Sequence, residues 1–229
     1  MRVDTPEGLP AREIAIVGMA GKFPGADNLD ELWSLLMEGR STIEAISKEK
    51  HGRRGLGTEE SCDQNRWWGN FLQHPEHFDH EFFGISPREA QVWDPQQRIL
   101  LEVAYQALES SGYFGAAVKT QPHDYGCYIG AAMNNYYDNV ACHEPTAYAT
   151  VGTSRGFTSG ALSHFFGWSG PAVTLDTACS SSLVAINAAC RAIAAGECSR
   201  AIAGGTNVIT SPHDYRNLAA AGFLSPTGQ

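Results

Sequence analysis

Basic residues are in short supply: 16 Lys and Arg stand against 25 Asp and Glu, a formal charge of -9. That deficit argues against general nucleic-acid binding, which needs a basic face. The one basic cluster, SKEKHGRRG (47–55), reads as a solvated loop. Closely spaced cysteine pairs are also missing. The cysteines at 62, 127, 142, 179, 190 and 198 are scattered, and no asparagine begins an N-x-Ser/Thr acceptor. Both absences point to free thiols in a reducing, cytoplasmic setting. No run approaches the roughly 20 apolar residues of a membrane-crossing helix, so no membrane role is expected. The opening MRVDTPEGLPARE carries acids where a secretory leader needs a basic and then apolar start. No repeat, low-complexity tract or clear linker divides the chain, so 1–229 reads as one piece with residues 1–11 as a flexible lead-in.

What is present suits a well-buried α/β protein: 43% hydrophobic residues, 18% charged, and 24 glycines. EIAIVGMAG (13–21) predicts a short buried strand. NLDELWSLLMEG (28–39) predicts an amphipathic helix capped by Asn28, with Glu31 at its third position and Gly39 as its stop. Residues 40–78 read as loop-rich, with GRRGLGTEES (52–61) the least regular part. Two capped starts follow, Ser86-Pro87-Arg88-Glu89 and Asp94-Pro95-Gln96-Gln97. The second opens a helix with an apolar stripe at Leu100, Ala104, Ala107 and Leu108 that ends at Gly112. Strands are expected at 124–133, 171–176 and 200–210, and helices at 154–168 and 181–197. The helix at 181–197 is apolar on nearly every face and is expected to be central and buried. Ser211-Pro212 opens a last helix. Alternating strands and helices point to a mainly parallel sheet.

Among candidate chemical groups, Cys179 stands out, between strand 171–176 and helix 181–197. A thiol at a helix N-terminus meets the positive end of the macrodipole, which favours the nucleophilic thiolate. Ala178, Ser180 and Ser181 are small enough for a sharp turn and a close substrate. An inert buried cysteine fits these residues equally well, and the two readings stand level. The other five cysteines read as structural, Cys190 as core. Gly152-Thr153-Ser154-Arg155-Gly156 matches G-x-S-x-G, but HEPTAYATV before it is a poor strand, so a serine-hydrolase elbow is not expected. His74, His77 and His80 have metal-like spacing, yet Pro75 and neighbouring aromatics favour a surface loop over a zinc site. Gly18 to Gly21 does not make G-x-G-x-x-G, so a dinucleotide site is unsupported.

Long blocks then resemble one family. DTACSSSL is similar to the active-site signature of β-ketoacyl synthases, in particular the ketosynthase domains of polyketide synthases. IAIVGMAGKFPGADNLDELW resembles that family's opening strand and helix. FFGISPREAQVWDPQQRILLEVAYQALESSGY resembles its next helical block, with Trp93 where Met is more usual. GPAVTLDTACSSSLVAINAAC, GECSRAIAGGTNVITSP and FLSPTGQ follow in the family's order, with a fungal flavour.

The resemblance implies a thiolase-like α/β fold of which this chain is the N-terminal half. It implies that Cys179 takes an acyl group from a phosphopantetheine thioester, its own backbone N–H helping to form an oxyanion hole. It implies no directly bound cofactor, substrates carried on an acyl carrier protein, neighbouring polyketide synthase domains as partners, and a homodimer with strand 171–176 near its two-fold. Decarboxylative condensation would follow, and it needs two histidines in motifs of the HGTGT and KxNxGH type. Neither motif occurs in the sequence, so the expectation is an incomplete ketosynthase with no condensation activity alone. The alternatives are a non-catalytic truncated product that binds a carrier protein or a ketosynthase partner, and a cysteine hydrolase.

Overall fold

The computed structural model describes residues 13–46, 68–115 and 123–228, with the Pro212 side chain left aside. The basic cluster at 47–55, the lead-in at 1–11 and Cys62 lie outside the described residues. The elements in chain order are α1 (Leu29–Met37), β1 (Ile43–Ala45), β2 (Trp68–Asn70), α2 (Pro87–Val92), α3 (Pro95–Ser110), β3 (Tyr125–Ala131), α4 (Tyr136–Ala141), α5 (Ala149–Thr153), α6 (Gly156–Phe166), β4 (Ala172–Leu175), α7 (Ser181–Ala195), β5 (Arg200–Thr206) and α8 (Pro212–Ala220). They divide into two compact units. The first comprises Met1–Ala20, Asp79–Asn134 and Tyr148–Asn207; the second comprises Gly21–Phe78, Asn135–Ala147 and Val208–Gln229.

The first unit is built on a parallel three-stranded sheet in the order β4-β3-β5. Parallel neighbours need crossovers, and α7 carries the chain from β4 to β5. β3 is paired on both sides and buried at every residue. Its pleat divides the work. Tyr128 faces α7, where it packs with Ala185, Ala189, Ala192 and Cys198, and with Val173 and Leu175 of β4. Cys127 faces the other way, fully buried, and burial pushes its thiol up to about 12. On that face Thr174 of β4 donates to Ser159 Oγ of α6 (2.9 Å). Beside them Tyr125 stacks on Trp168 (centroids 5.2 Å apart), and the Trp168 indole N–H donates to Tyr113 (3.2 Å).

The expected helix starts are present, because each rests on local chemistry. Asn28 accepts from Glu31 N–H (2.9 Å), while the Glu31 carboxylate accepts from Asp27 N–H (2.8 Å). Ser86 accepts from Glu89 N–H, Asp94 from Gln96 N–H and Ser211 from His213 N–H. In α3, Leu100, Ala104 and Leu108 are buried as the stripe predicts, and Leu101 is fully enclosed as well.

Two expectations are corrected. The segment 13–21 is not a buried strand. Among the described residues it joins neither sheet, and Ile16, Val17 and Met19 are 78%, 70% and 62% exposed. Helix α7 is not enclosed on all sides: Ser181, Ala185, Ala189, Cys190 and Ala192 are buried, but Leu183 is exposed. Apolarity on every face cannot say which face a three-stranded sheet will cover. Residues 178–195 are long and apolar enough to cross a membrane by length and composition alone, but here that stretch is the crossover helix of the sheet. Within the loop-rich stretch 40–78, β1 and β2 pair antiparallel in the second unit. Three-residue strands are too short to show an alternating pattern.

In the second unit, Ile46 and Tyr215 form a small core with Phe71, Ile209 and Leu224. Asn135 ties this unit internally. It donates to the Asp214 carboxylate, and its carbonyl oxygen accepts from the Thr210 hydroxyl (2.7 Å).

Candidate active site

The site begins where β4 ends. Leu175 is the last strand residue and Ser181 the first of α7, leaving five residues to turn the chain. Two close approaches set where α7 begins. A Cβ at Gly130 of β3 would run into the Ser181 backbone, and one at Gly205 of β5 would sit 2.7 Å from Ser182 Cβ. The N-terminal end of α7 can therefore lie directly on the sheet only because both positions are glycine.

Within the turn, Ala178 adopts φ 54°, a left-handed conformation that costs an L-residue roughly 1–2 kcal/mol. Side chains hold it there. Asp176 Oδ1 accepts from the Ala178 N–H (3.1 Å). The Ser181 hydroxyl accepts from the Thr177 N–H (2.8 Å) and donates to the Ala178 carbonyl (2.6 Å). The Ser180 hydroxyl donates to the Thr177 carbonyl (2.8 Å). The serines after Cys179 thus do more than stay small; two of them pin the turn. Asp176 also forms an ion pair with Arg155, which donates in addition to the Ala132 carbonyl (2.8 Å). The Ala178 N–H, and then the Arg155 charge, hold the Asp176 carboxyl below its ordinary value.

Cys179 follows the strained residue and is exposed to solvent. Cys179 is therefore not buried in this structure. Cys127, Cys190 and Cys198 are buried free thiols, as a structural role requires, and burial raises the Cys198 thiol too. Cys142 is not core: it lies exposed at the end of α4.

The weaker motifs resolve as well. Gly152 and Thr153 close helix α5 and Gly156 opens α6, so no strand precedes Ser154 and the G-x-S-x-G match is not a nucleophile elbow. The histidines do not act as a trio. His80 Nδ1 lies 3.0 Å from the Ile85 carbonyl. His74 and His77 instead stack on each other and flank Glu76. The ligand atoms of His74, Glu76 and His77 lie within 4.8 Å of one another, but all three residues are exposed. This is the surface loop expected, with Glu76 in the place the spacing assigned to His80.

Sequence reasoning passed over Arg155 except as the x of a motif. One signal was available: the helix read at 154–168 puts this cation in its first turn. A cation is disfavoured at the positive end of a helix.

A parallel sheet covered by helices on both faces, with a thiol on the strand-to-helix turn, makes this an α/β protein, and the solved ketosynthase domains it is similar to place it in the thiolase-like class. The family model "Beta-ketoacyl synthase, N-terminal domain" matches residues 11–229. The chain belongs to that family. It is 57% identical over 222 residues to methylphloroacetophenone synthase of Cladonia uncialis, covering 97% of this chain and 9% of that protein. It is 53% identical over 215 residues to a non-reducing polyketide synthase of Emericella nidulans, covering 94% and 8%. Among solved structures it is similar to an oxazolomycin ketosynthase domain from Streptomyces albus (36% identity, TM-score 0.78, 92% of this chain and 37% of that one). It is likewise similar to the ketosynthase from module 6 of the bacillaene synthase of Bacillus subtilis (35%, TM-score 0.78, 94% and 35%). The chain therefore spans less than two-fifths of these ketosynthases and no more than a tenth of the synthases.

Proposed function

We propose that this chain is the acyl-accepting part of a polyketide synthase ketosynthase, with Cys179 as the nucleophile. The observation that carries the reading is the exposed thiol on a turn whose backbone is fixed by Asp176, Ser180 and Ser181. The Cys179 thiolate attacks the carbonyl of an acyl-phosphopantetheine thioester. The carbon–sulfur bond to pantetheine breaks, the acyl group stays on Cys179, and the pantetheine thiol takes the proton. The backbone N–H of Cys179 would help stabilise the oxyanion of the tetrahedral intermediate, since those of Thr177 and Ala178 already donate to Ser181 and Asp176.

The substrate arrives on an acyl carrier protein, and no cofactor is bound directly. Other polyketide synthase domains are the further partners. Condensation with a malonyl unit requires histidines in the HGTGT and KxNxGH contexts, and neither motif is in this chain. The reaction is therefore divided, with acyl transfer here and condensation dependent on groups from outside. Free Cys127, Cys142, Cys179, Cys190 and Cys198 suit a cytoplasmic setting. β4 pairs on one side only among the described residues, and such an edge is a template for strand addition. That supports a homodimer in the complete domain, with the strand at 171–176 near its two-fold.

The test is intact mass after incubation with an acyl-pantetheine thioester, for the chain and for Cys179→Ala. The expected result is one acyl increment on the chain, none on the variant, and no condensation product from added malonyl thioester. Equal acylation of both would remove Cys179 as acceptor, and a carbon–carbon bond formed by this chain would overturn the division of the reaction.

A further inference from the structure

Two residues in the first unit break local rules without any local gain. Ala178 sits at φ 54° although it carries a Cβ. Arg155 stands with helical dihedrals at the very start of α6, where the helix dipole disfavours a cation. Violations that persist in a folded protein are offset by a partner or by function. Here each offsets the other through Asp176. One carboxylate oxygen, Oδ1, accepts from Ala178 N–H (3.1 Å), and the other, Oδ2, is held by the Arg155 guanidinium. Arg155 is fixed in turn by its second bond, to the Ala132 carbonyl just beyond β3 (2.8 Å). A chain of contacts thus runs from the end of the central strand to the residue before Cys179.

We propose that Arg155 is a positioning residue for acyl transfer: through Asp176 it holds Ala178 in the left-handed conformation that presents Cys179. It touches neither the thiol nor, on this account, the substrate. A fixed guanidinium is suited to this because its planar fork serves a carboxylate and a carbonyl at once. Ser180 and Ser181 close the turn from the helix side, with the Ser180 hydroxyl also donating to that of Thr177, while Asp176 and Arg155 hold the Ala178 N–H from the strand side. Without Arg155, the Asp176 carboxylate is free to rotate, Ala178 can relax to negative φ, and the thiol leaves its attack geometry.

This inference rests on Cys179 being the acyl acceptor, and the experiment separates the two. The rate of acylation by an acyl-pantetheine thioester is measured for the unsubstituted chain, Arg155→Ala, Arg155→Lys, Ala178→Gly and the double variant Arg155→Ala/Ala178→Gly. Thermal unfolding is recorded for each. Arg155→Ala is expected to slow acylation by about tenfold, the order of effect that displacing a reacting group produces. Arg155→Lys, which keeps the charge for Asp176, should recover part of that loss. Glycine takes the left-handed conformation without steric cost, so in the Ala178→Gly background the loss from Arg155→Ala should shrink to threefold or less. If the loss is the same in both backgrounds, Arg155 serves α6 in general and not the turn. An unchanged rate in Arg155→Ala overturns the proposal while leaving Cys179 as acceptor. If Cys179→Ala is acylated as fast as the chain itself, the acceptor reading fails first.

Discussion

Asp94 and Asp176 make the same local bond and live in opposite surroundings. Each accepts the N–H two residues ahead, Gln96 at 2.8 Å and Ala178 at 3.1 Å. Each stands just before a helix or a helix-bound turn. Asp94 is buried, and desolvation raises its carboxyl above the ordinary value of 3.8 despite hydrogen bonds from Gln96. Asp176 is exposed, and its bonds from Ala178 and Arg155 lower it. The Asp94 turn serves the fold, where a carboxylate is tolerated because it caps α3 from within the core. The Asp176 turn serves the site, where a charged group stays charged and keeps a strained residue in place. An Asp before a helix start is one sequence signal with two meanings, and what packs around it decides between them.

The largest expected effect tests the buried turn. Asp94→Ala leaves the Gln96 N–H without its cap in a water-poor place, and should destabilise the protein by about 2 kcal/mol in denaturant unfolding. Asp176→Ala should cost visibly less stability, since water can replace an exposed acceptor, yet slow Cys179 acylation more than Asp94→Ala does. If the two variants ranked the other way in both readouts, the division between fold and site would be wrong.

The pH dependence should differ in sign. The folded state holds its Asp94 proton more tightly than the unfolded state. That contribution is present below pH 3.8 and is lost as pH rises through the raised value. Asp176 is the reverse: its contribution is present above pH 3.8 and lost as pH falls through the lowered value. Unfolding measured from pH 3 to pH 7 should therefore show Asp94→Asn gaining on the unsubstituted protein as pH rises, and Asp176→Asn falling behind it. Parallel curves would contradict the assignment.

Salt gives the smallest effect. The Arg155–Asp176 pair is exposed, and at 0.1 M salt charges are screened over about 10 Å. Moving to about 1 M salt should slow acylation slightly in the unsubstituted chain and not in Arg155→Ala.

Helix starts were legible because capping is written in four neighbouring residues; Asn28, Ser86, Asp94 and Ser211 all cap as their spacing predicts. The strand-to-helix placement of Cys179 was legible from the apolar runs on either side of it, since α7 has no side-chain cap at Ser180. Pairing was not. IAIVGMA and YGCYIGA look alike in composition, yet β3 is enclosed between two strands while 14–20 joins neither sheet among the described residues. A strand's partners are chosen by distant residues, which hydropathy does not name. Arg155 was illegible for a similar reason: its partner is 21 residues away, across α6 and β4. The serines after Cys179 were read as small. That their hydroxyls tie the turn depended on seeing the Thr177 and Ala178 backbone groups turned toward them.

Cys142 offers an internal control, because it is also an exposed, free thiol but lies at a helix C-terminus with no fixed turn. The most direct measurement is therefore to acylate the chain with an acyl-pantetheine thioester, digest it, and locate the acyl group by peptide mass. The account predicts the label on the peptide containing Cys179 and little on that containing Cys142; equal labelling of the two would contradict it.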